Sequence, residues 1–305
     1  MKPFFALAFY CFVYCFLLSI SAAHGQEEGF VPLFNGEDLT GWKSARSSGE
    51  GDWGPFSVNA EEEAIHVYAG KEANSKQATD CLYFDQQYSH FILKLEYKWL
   101  ENRFEPRPDW DRDSGLLFHI HGNVNRVWPF SLEMQIGESP GDKPDARGST
   151  GRFHTGDLFV LRKNLRASTP LGKDRKYAAD GKRKSGRNIR TPLGVEKPKG
   201  EWNQIEIHVK GSEKATFMLN GEVVLETFDF FYEEDAKDDS ENAKKRIPLD
   251  RGRIGLQAEW AELLYRKILI KDLSAAEETD TPDTDPDKKI VVPAEKDSAE
   301  GSNGK

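Results

Sequence analysis

Between His90 and Leu100 the chain reads HFILKLEYKWL, and every second residue is large and apolar. Phe91, Leu93, Leu95, Tyr97 and Trp99 share one face; Ile92, Lys94, Glu96 and Lys98 take the other. A period of two belongs to a β-strand with one buried face and fits no helix. The same alternation recurs in SLEMQIGE (131–138), where Leu132, Met134 and Ile136 oppose Ser131, Glu133 and Gln135. It returns in WNQIEIHVKG (202–211), in RIGLQAEW (253–260) and in LLYRKILIKDL (263–273). FSVNAEEEAIHVYAG (56–70) reads as a hairpin around an acidic turn. KATFMLNGEVVLETF (214–228) reads as another, turning at Asn220-Gly221. No long amphipathic helix and no repeat breaks the series. Many short strands between turn signals predict an all-β fold, a jelly-roll sandwich of two antiparallel sheets. Trp42, Trp53, Trp99 and Trp202 sit inside strand motifs and are expected in its core.

Three segments depart from the alternation. Residues 1–25 join Lys2, a long apolar run and the small residues of AAHG, the layout of a secretory signal. Cleavage would leave no membrane span and place the protein in the periplasm or outside the cell; an uncleaved anchor is the competing reading. Cys11 and Cys15 lie in this segment, so Cys81 is left alone and cannot close an internal disulfide. At the other end, residues 275–305 are acidic, rich in Pro and poor in large apolar residues, which predicts a disordered tail. The domain expected between them spans 28–273. Formal net charge is −9, about half of it in the tail, which points away from a nucleic-acid partner. The third segment, 162–199, carries 13 Lys or Arg against 3 acids. It reads as a basic insertion, a surface loop, with a groove for an acidic glycan as the alternative. YEEDAKDDSEN (232–242) is its acidic counterpart.

The stretch DSGLLFHIHG (113–122) poses a narrower question. Extending the alternation sets Leu117, His119 and His121 on one face, the two imidazoles about 7 Å apart at strand rise. If the neighbouring strands bury their apolar faces together, Glu133, Gln135, Gln257 and Glu259 share that opposite face with the histidines. Gln, Glu and His at matched phases suit hydroxyl-rich ligands, because each can donate to or accept from a sugar hydroxyl. Trp128 and Trp260 lie beside this surface in sequence and could stack on a sugar ring. Arg266 is either an electrophile at the site or a structural residue near a strand end.

Several phrases, taken in order, resemble one family. FVPLFNGEDLTGW, FILKLEYKW, DSGLLFHIHG, SLEMQIGE, GEWNQIEIHVKG, LNGEVV and GRIGLQAEWAELLYRKILIKDL are similar to the successive motifs of the 3-keto-disaccharide hydrolase domain, over about 30–273. Asp113 stands where that family usually has asparagine. The resemblance implies a concanavalin-like β-sandwich, often exported, that cleaves glycosides already oxidised at C3 by a partner sugar dehydrogenase.

Such a reaction needs a base near C2, an electrophile at the C3 oxygen and an acid for the leaving group. Glu133, His121, His119 and Glu259 are the catalytic candidates; Gln135, Gln257, Asp113, Arg266, Trp128 and Trp260 are the substrate-binding ones. No cofactor is assigned. A divalent metal held by His119, His121 and Glu133, with His154 added, is an alternative electrophile. Two other functions stay open: a direct glycosidase using Glu133 and Glu259, and a lectin-like module that binds carbohydrate without turnover.

Overall fold

The computed structural model describes residues 28–49, 51–138, 153–191, 195–235 and 244–274. The expected signal segment and acidic tail lie outside the described residues. Within them every regular element is a strand. In chain order these are β1 Val31–Pro32, β2 Trp42–Ser44, β3 Phe56–Asn59, β4 Ala64–Val67, β5 Asp80–Phe84 and β6 His90–Arg103. Then come β7 Asp113–His121, β8 Phe130–Gly137, β9 Leu158–Val160, β10 Leu165–Leu171, β11 Lys182–Gly186 and β12 Asn188–Ile189. The last are β13 Asn203–Lys210, β14 Lys214–Leu219, β15 Glu222–Asp235, β16 Lys244–Pro248, β17 Arg253–Ala258 and β18 Ala261–Asp272.

They form two antiparallel sheets. The eleven-stranded one runs β11-β10-β15-β14-β13-β6-β18-β4-β3, with β1 on β18 and β16 on β15; the seven-stranded one runs β12-β9-β8-β7-β17-β5-β2. The architecture is a concanavalin-like jelly-roll sandwich. The apolar face of β6 packs between the sheets, against Leu116 and Phe118 of β7, Leu132 and Met134 of β8, and Leu256 of β17. Burial of these side chains is the main term holding the layers together. The β14–β15 turn has Asn220 at φ 50° and Gly221 at φ 87°, the left-handed pair that a two-residue hairpin requires.

Two expectations need correction. The basic segment 162–199 is not one surface loop. Its β10 is an interior strand between β11 and β15, and its β12 joins β9 in the other sheet. Leu165, Ala167, Thr169 and Leu171 alternate inward from β10, but small and hydroxylated members hide the period. Trp202 is not core either. It lies half-buried on the outer side of the larger sheet, under the guanidinium of Arg266 at 3.8 Å and the ammonium of Lys98 at 4.6 Å. Trp42 and Trp99 are buried, and Trp53 packs partly exposed against the core.

The alternation of β7 also breaks where the histidines begin. His119 has φ 52°, and the pairing of β7 with β8 shifts register between Phe118 and His121. This bulge inserts one residue and reverses the faces beyond it. Leu117 and Ile120 now share the outer face, while His119 turns into the core. Its ring meets Phe91, Phe118 and Phe230, and its Nε2 donates to the Gly211 carbonyl at 2.9 Å. Gly252 leaves room for the bulge: a Cβ there would stand 2.4 Å from the His119 carbonyl carbon. Burial is the main cause that holds the imidazole neutral, its pKa pushed down to about 4. His121 lies at the exposed end of β7, its ring against Phe130 and Tyr232.

A depressed histidine binds its proton more weakly folded than unfolded. Its contribution to stability is therefore complete above the ordinary value of 6.5 and is lost as pH falls toward about 4. At 1.36 kcal/mol per unit the loss reaches about 3 kcal/mol. Denaturant melts across this window should show that slope in the parent. The slope should flatten in His119→Gln, which should also be less stable at neutral pH.

Candidate functional site

The outer face of the smaller sheet carries the densest polar cluster that the alternation anticipated. β7 and β8 pair Gly115 with Gln135 and Leu117 with Glu133; β17 pairs Gly255 with Leu117 from the other side. Glu133 and Gln135 on β8 and Gln257 on β17 therefore flank Gly115 of β7 from its two sides. A Cβ on Gly115 would lie 2.2 Å from Glu133 Oε1 and 2.5 Å from Gln257 Oε1. A bare backbone at this point is what lets the two side chains meet over the strand.

None of these groups is open to bulk water. Glu133 and Gln135 are 3% exposed, Gln257 1% and Asp113 5%. Below them Cys81 and Leu117 form a small apolar patch with Ala45, Tyr83 and Ile120. Gln135 Nε2 donates to Asp113 Oδ1 and, at 2.7 Å, to the Ser114 carbonyl. Arg107 reaches in from the preceding loop, its Nη1 3.0 Å from both Asp113 Oδ2 and Glu259 Oε1. Its guanidinium is stacked between Trp110 at 4.5 Å and Trp260 at 4.3 Å. The Trp260 indole nitrogen donates to the Gln77 carbonyl.

Two electrostatic features stand out. Burial first, then the carboxylates of Glu259 and Asp113, push the Glu133 carboxyl well above the usual range, with the Gln257 amide opposing in part. Arg107 is shared by Asp113 and Glu259 and makes no ion pair with Glu133, so ionisation of this most buried of the three acids is opposed with no cation beside it to relieve it. The second feature is Gln257, whose buried Nε2 and Oε1 make no well-formed hydrogen bond although the Glu133 carboxyl lies beside them. A buried primary amide so poorly bonded is costly, unless a ligand supplies the partners.

The site thus joins Glu133, Gln135, Gln257, Asp113 and Glu259, with Trp260 at its margin. It does not include His119, which is in the core, or His121, which is at the strand end. Arg266 is on the outer side of the larger sheet, bonded to Glu96 at 2.7 Å. Trp128 is exposed on a loop beyond the apolar patch. The expected metal set of His119, His121 and Glu133 does not converge. His154 is buried beside Asp157, its Nδ1 4.0 Å from Oδ1. Among the described residues no three His, Cys, Asp or Glu side chains are grouped to hold a metal ion. Sequence reasoning missed Arg107, Trp110 and Gly115. A glycine inside a strand was a signal for close approach; the Arg and Trp of PRPDW, just ahead of Asp113, were a signal for the loop.

With this geometry in view, the chain belongs to the family of 3-keto-alpha-glucoside-1,2-lyase-like domains, matched over residues 29–271. No curated protein matches it. Among solved structures it is similar to a protein from Parabacteroides distasonis proposed to be a glycosyl hydrolase. That match has 20% identity and a TM-score of 0.49, covering 81% of this chain and 94% of the other. A Bacillus subtilis protein of unknown function with a galectin-like fold matches at 13% identity and TM-score 0.45, covering 80% and 94%.

Two outcomes are expected. A carboxyl with a raised folded pKa stabilises while protonated, and that stability is lost as pH climbs through the raised value. Glu133→Gln should therefore raise the melting temperature, more at alkaline than at acid pH, while abolishing activity. Gly115→Ala should displace Glu133 and Gln257 and remove ligand binding; circular dichroism should confirm that the sheets persist.

Proposed function

We propose that this protein cleaves glycosides whose sugar is already oxidised at C3. The observation that carries the reading is the poorly bonded Gln257 amide beside a buried Glu133 whose pKa is raised, within a family named for such chemistry. A C3 ketone acidifies the hydrogen on C2. Ionised Glu133 takes that proton, and the electron pair moves into an enolate. The enolate re-forms the ketone by expelling the C1 oxygen, which takes the proton that Glu133 removed from C2 and leaves as the free alcohol. Water adding across the resulting double bond completes a net hydrolysis. Gln257 Nε2 is suited to donate to the C3 oxygen as charge develops there. Asp113 and Glu259 keep the local field negative, so Glu133 is a stronger base than a solvated carboxylate. Arg107 positions both.

A direct glycosidase is the second reading, and the same cluster favours it. Glu133, its pKa raised by burial, would be the acid, and Glu259, held by Arg107, the second carboxyl group. In the first reading a C3 dehydrogenase supplies the substrate. The leader-like residues 1–25 support action outside the cytoplasm.

The test is turnover of a glucoside panel, each member with and without C3 oxidation, followed against pH. We expect turnover of the oxidised members only, with a rate that rises as Glu133 loses its proton. Cleavage of unoxidised substrate, fastest at acid pH, would establish the glycosidase instead. Binding without turnover in either set would leave a lectin.

A further inference from the structure

Beyond the apolar patch the outer face ends in a strongly basic hollow. Three adjoining depressions, ≈ 470, 470 and 440 Å³, share Arg162 in their walls. Arg46, Arg126, Lys163 and Arg187 line one or more of them, and Trp128 lines two. Glu234 is their one carboxylate among the described residues. Arg162 and Arg187 each donate to a backbone carbonyl, of Trp128 and Val160, both at 3.2 Å. None of the five cations makes an ion pair with a described residue. Trp128, 41% exposed, is the one large aromatic left so open there.

Position ties this hollow to the polar cluster. Leu161 and Val124 flank the basic residues in sequence and pack on the apolar patch that contains Leu117 and Ile120. Leu117 is directly opposite Glu133. From Leu117 to Ile120 is about 10 Å along the strand. The hollow and the polar cluster thus lie along the same face of the smaller sheet.

We propose that this hollow is a subsite for an oxyanion carried by the saccharide, a sulfate ester or a uronate carboxylate; the inference rests on the carbohydrate reading above. Planar guanidinium forks match an oxyanion with two parallel hydrogen bonds, better than ammonium points do. The open indole face of Trp128 beside them offers a platform for the ring that bears the anion. Four arginines set against one lining carboxylate leave a net positive charge in the hollow that a bound anion offsets.

Calorimetric titration of the full chain tests this with matched probes. One arm compares sulfated and unsulfated isomalto-oligosaccharides; the other compares oligogalacturonate with its methyl ester; polyphosphate is the third ligand. We expect the anionic member of at least one pair to bind about tenfold more tightly than its neutral partner. The preferred arm identifies the oxyanion. The preference should shrink with added salt and collapse in Arg126→Gln/Arg162→Gln, with melting temperature showing that the variant is folded. Should the double variant misfold, Trp128→Ala provides the second check, weakening both members of the preferred pair. Equal binding within both pairs overturns the proposal, and so does polyphosphate binding as tightly as the anionic sugars. Neutral sugars turned over without anionic preference would defeat this inference alone. No saccharide bound at all would defeat the carbohydrate reading with it.

Discussion

The smaller sheet buries both faces of its central strands, and the proposed chemistry depends on that. An ordinary sandwich sheet turns one face to water, and a carboxylate there behaves as it does in solution. Here the outer face of β7, β8 and β17 is closed over as tightly as the core. Glu133 therefore sits where ionisation is opposed by burial and by two other acids. The cost of holding such a group is offset by the apolar core on the sheet's other side. The loop around Arg107 completes the arrangement, since one cation ties Asp113 to Glu259 and two indoles fix its plane.

How far the sequence reached is best seen strand by strand. β6 and β8 were legible because their alternation is unbroken and their inward residues are large. The face shared by Glu133, Gln135 and Gln257 followed from phase alone. Phase also produced the main error. One inserted residue at His119 inverts everything after it, and a period cannot report its own interruption. The only trace in sequence is Gly252 on the facing segment, too remote to be linked without coordinates. β11 was invisible for a different reason. Lys182, Arg183 and Lys184 leave it no apolar face at all, as suits an edge strand that must not pair with another chain. Trp202 shows that an aromatic inside a strand motif can serve as a platform for cations rather than as filling.

The same contrast separates the two halves of the outer face. The half near Gly115 is built from regular strands, so its geometry is fixed by register and legible from pattern. The half near Trp128 is built from connections after β7 and β9, where no period operates. Its residues come together only because those connections fold back over Leu117 and Ile120. Functional positions carried by loops are read from coordinates, while the scaffold that holds them is read from sequence.

Cys81 gives this arrangement one further property. It is fully buried on β5, directly beside Gln257 in register, and burial drives its thiol far from ionisation. A thiol kept protonated and shielded does not exchange with disulfides or take up alkylating reagents. It reacts only when β5 and β17 part, so modification of this one sulfur measures how often the floor beneath the polar cluster opens.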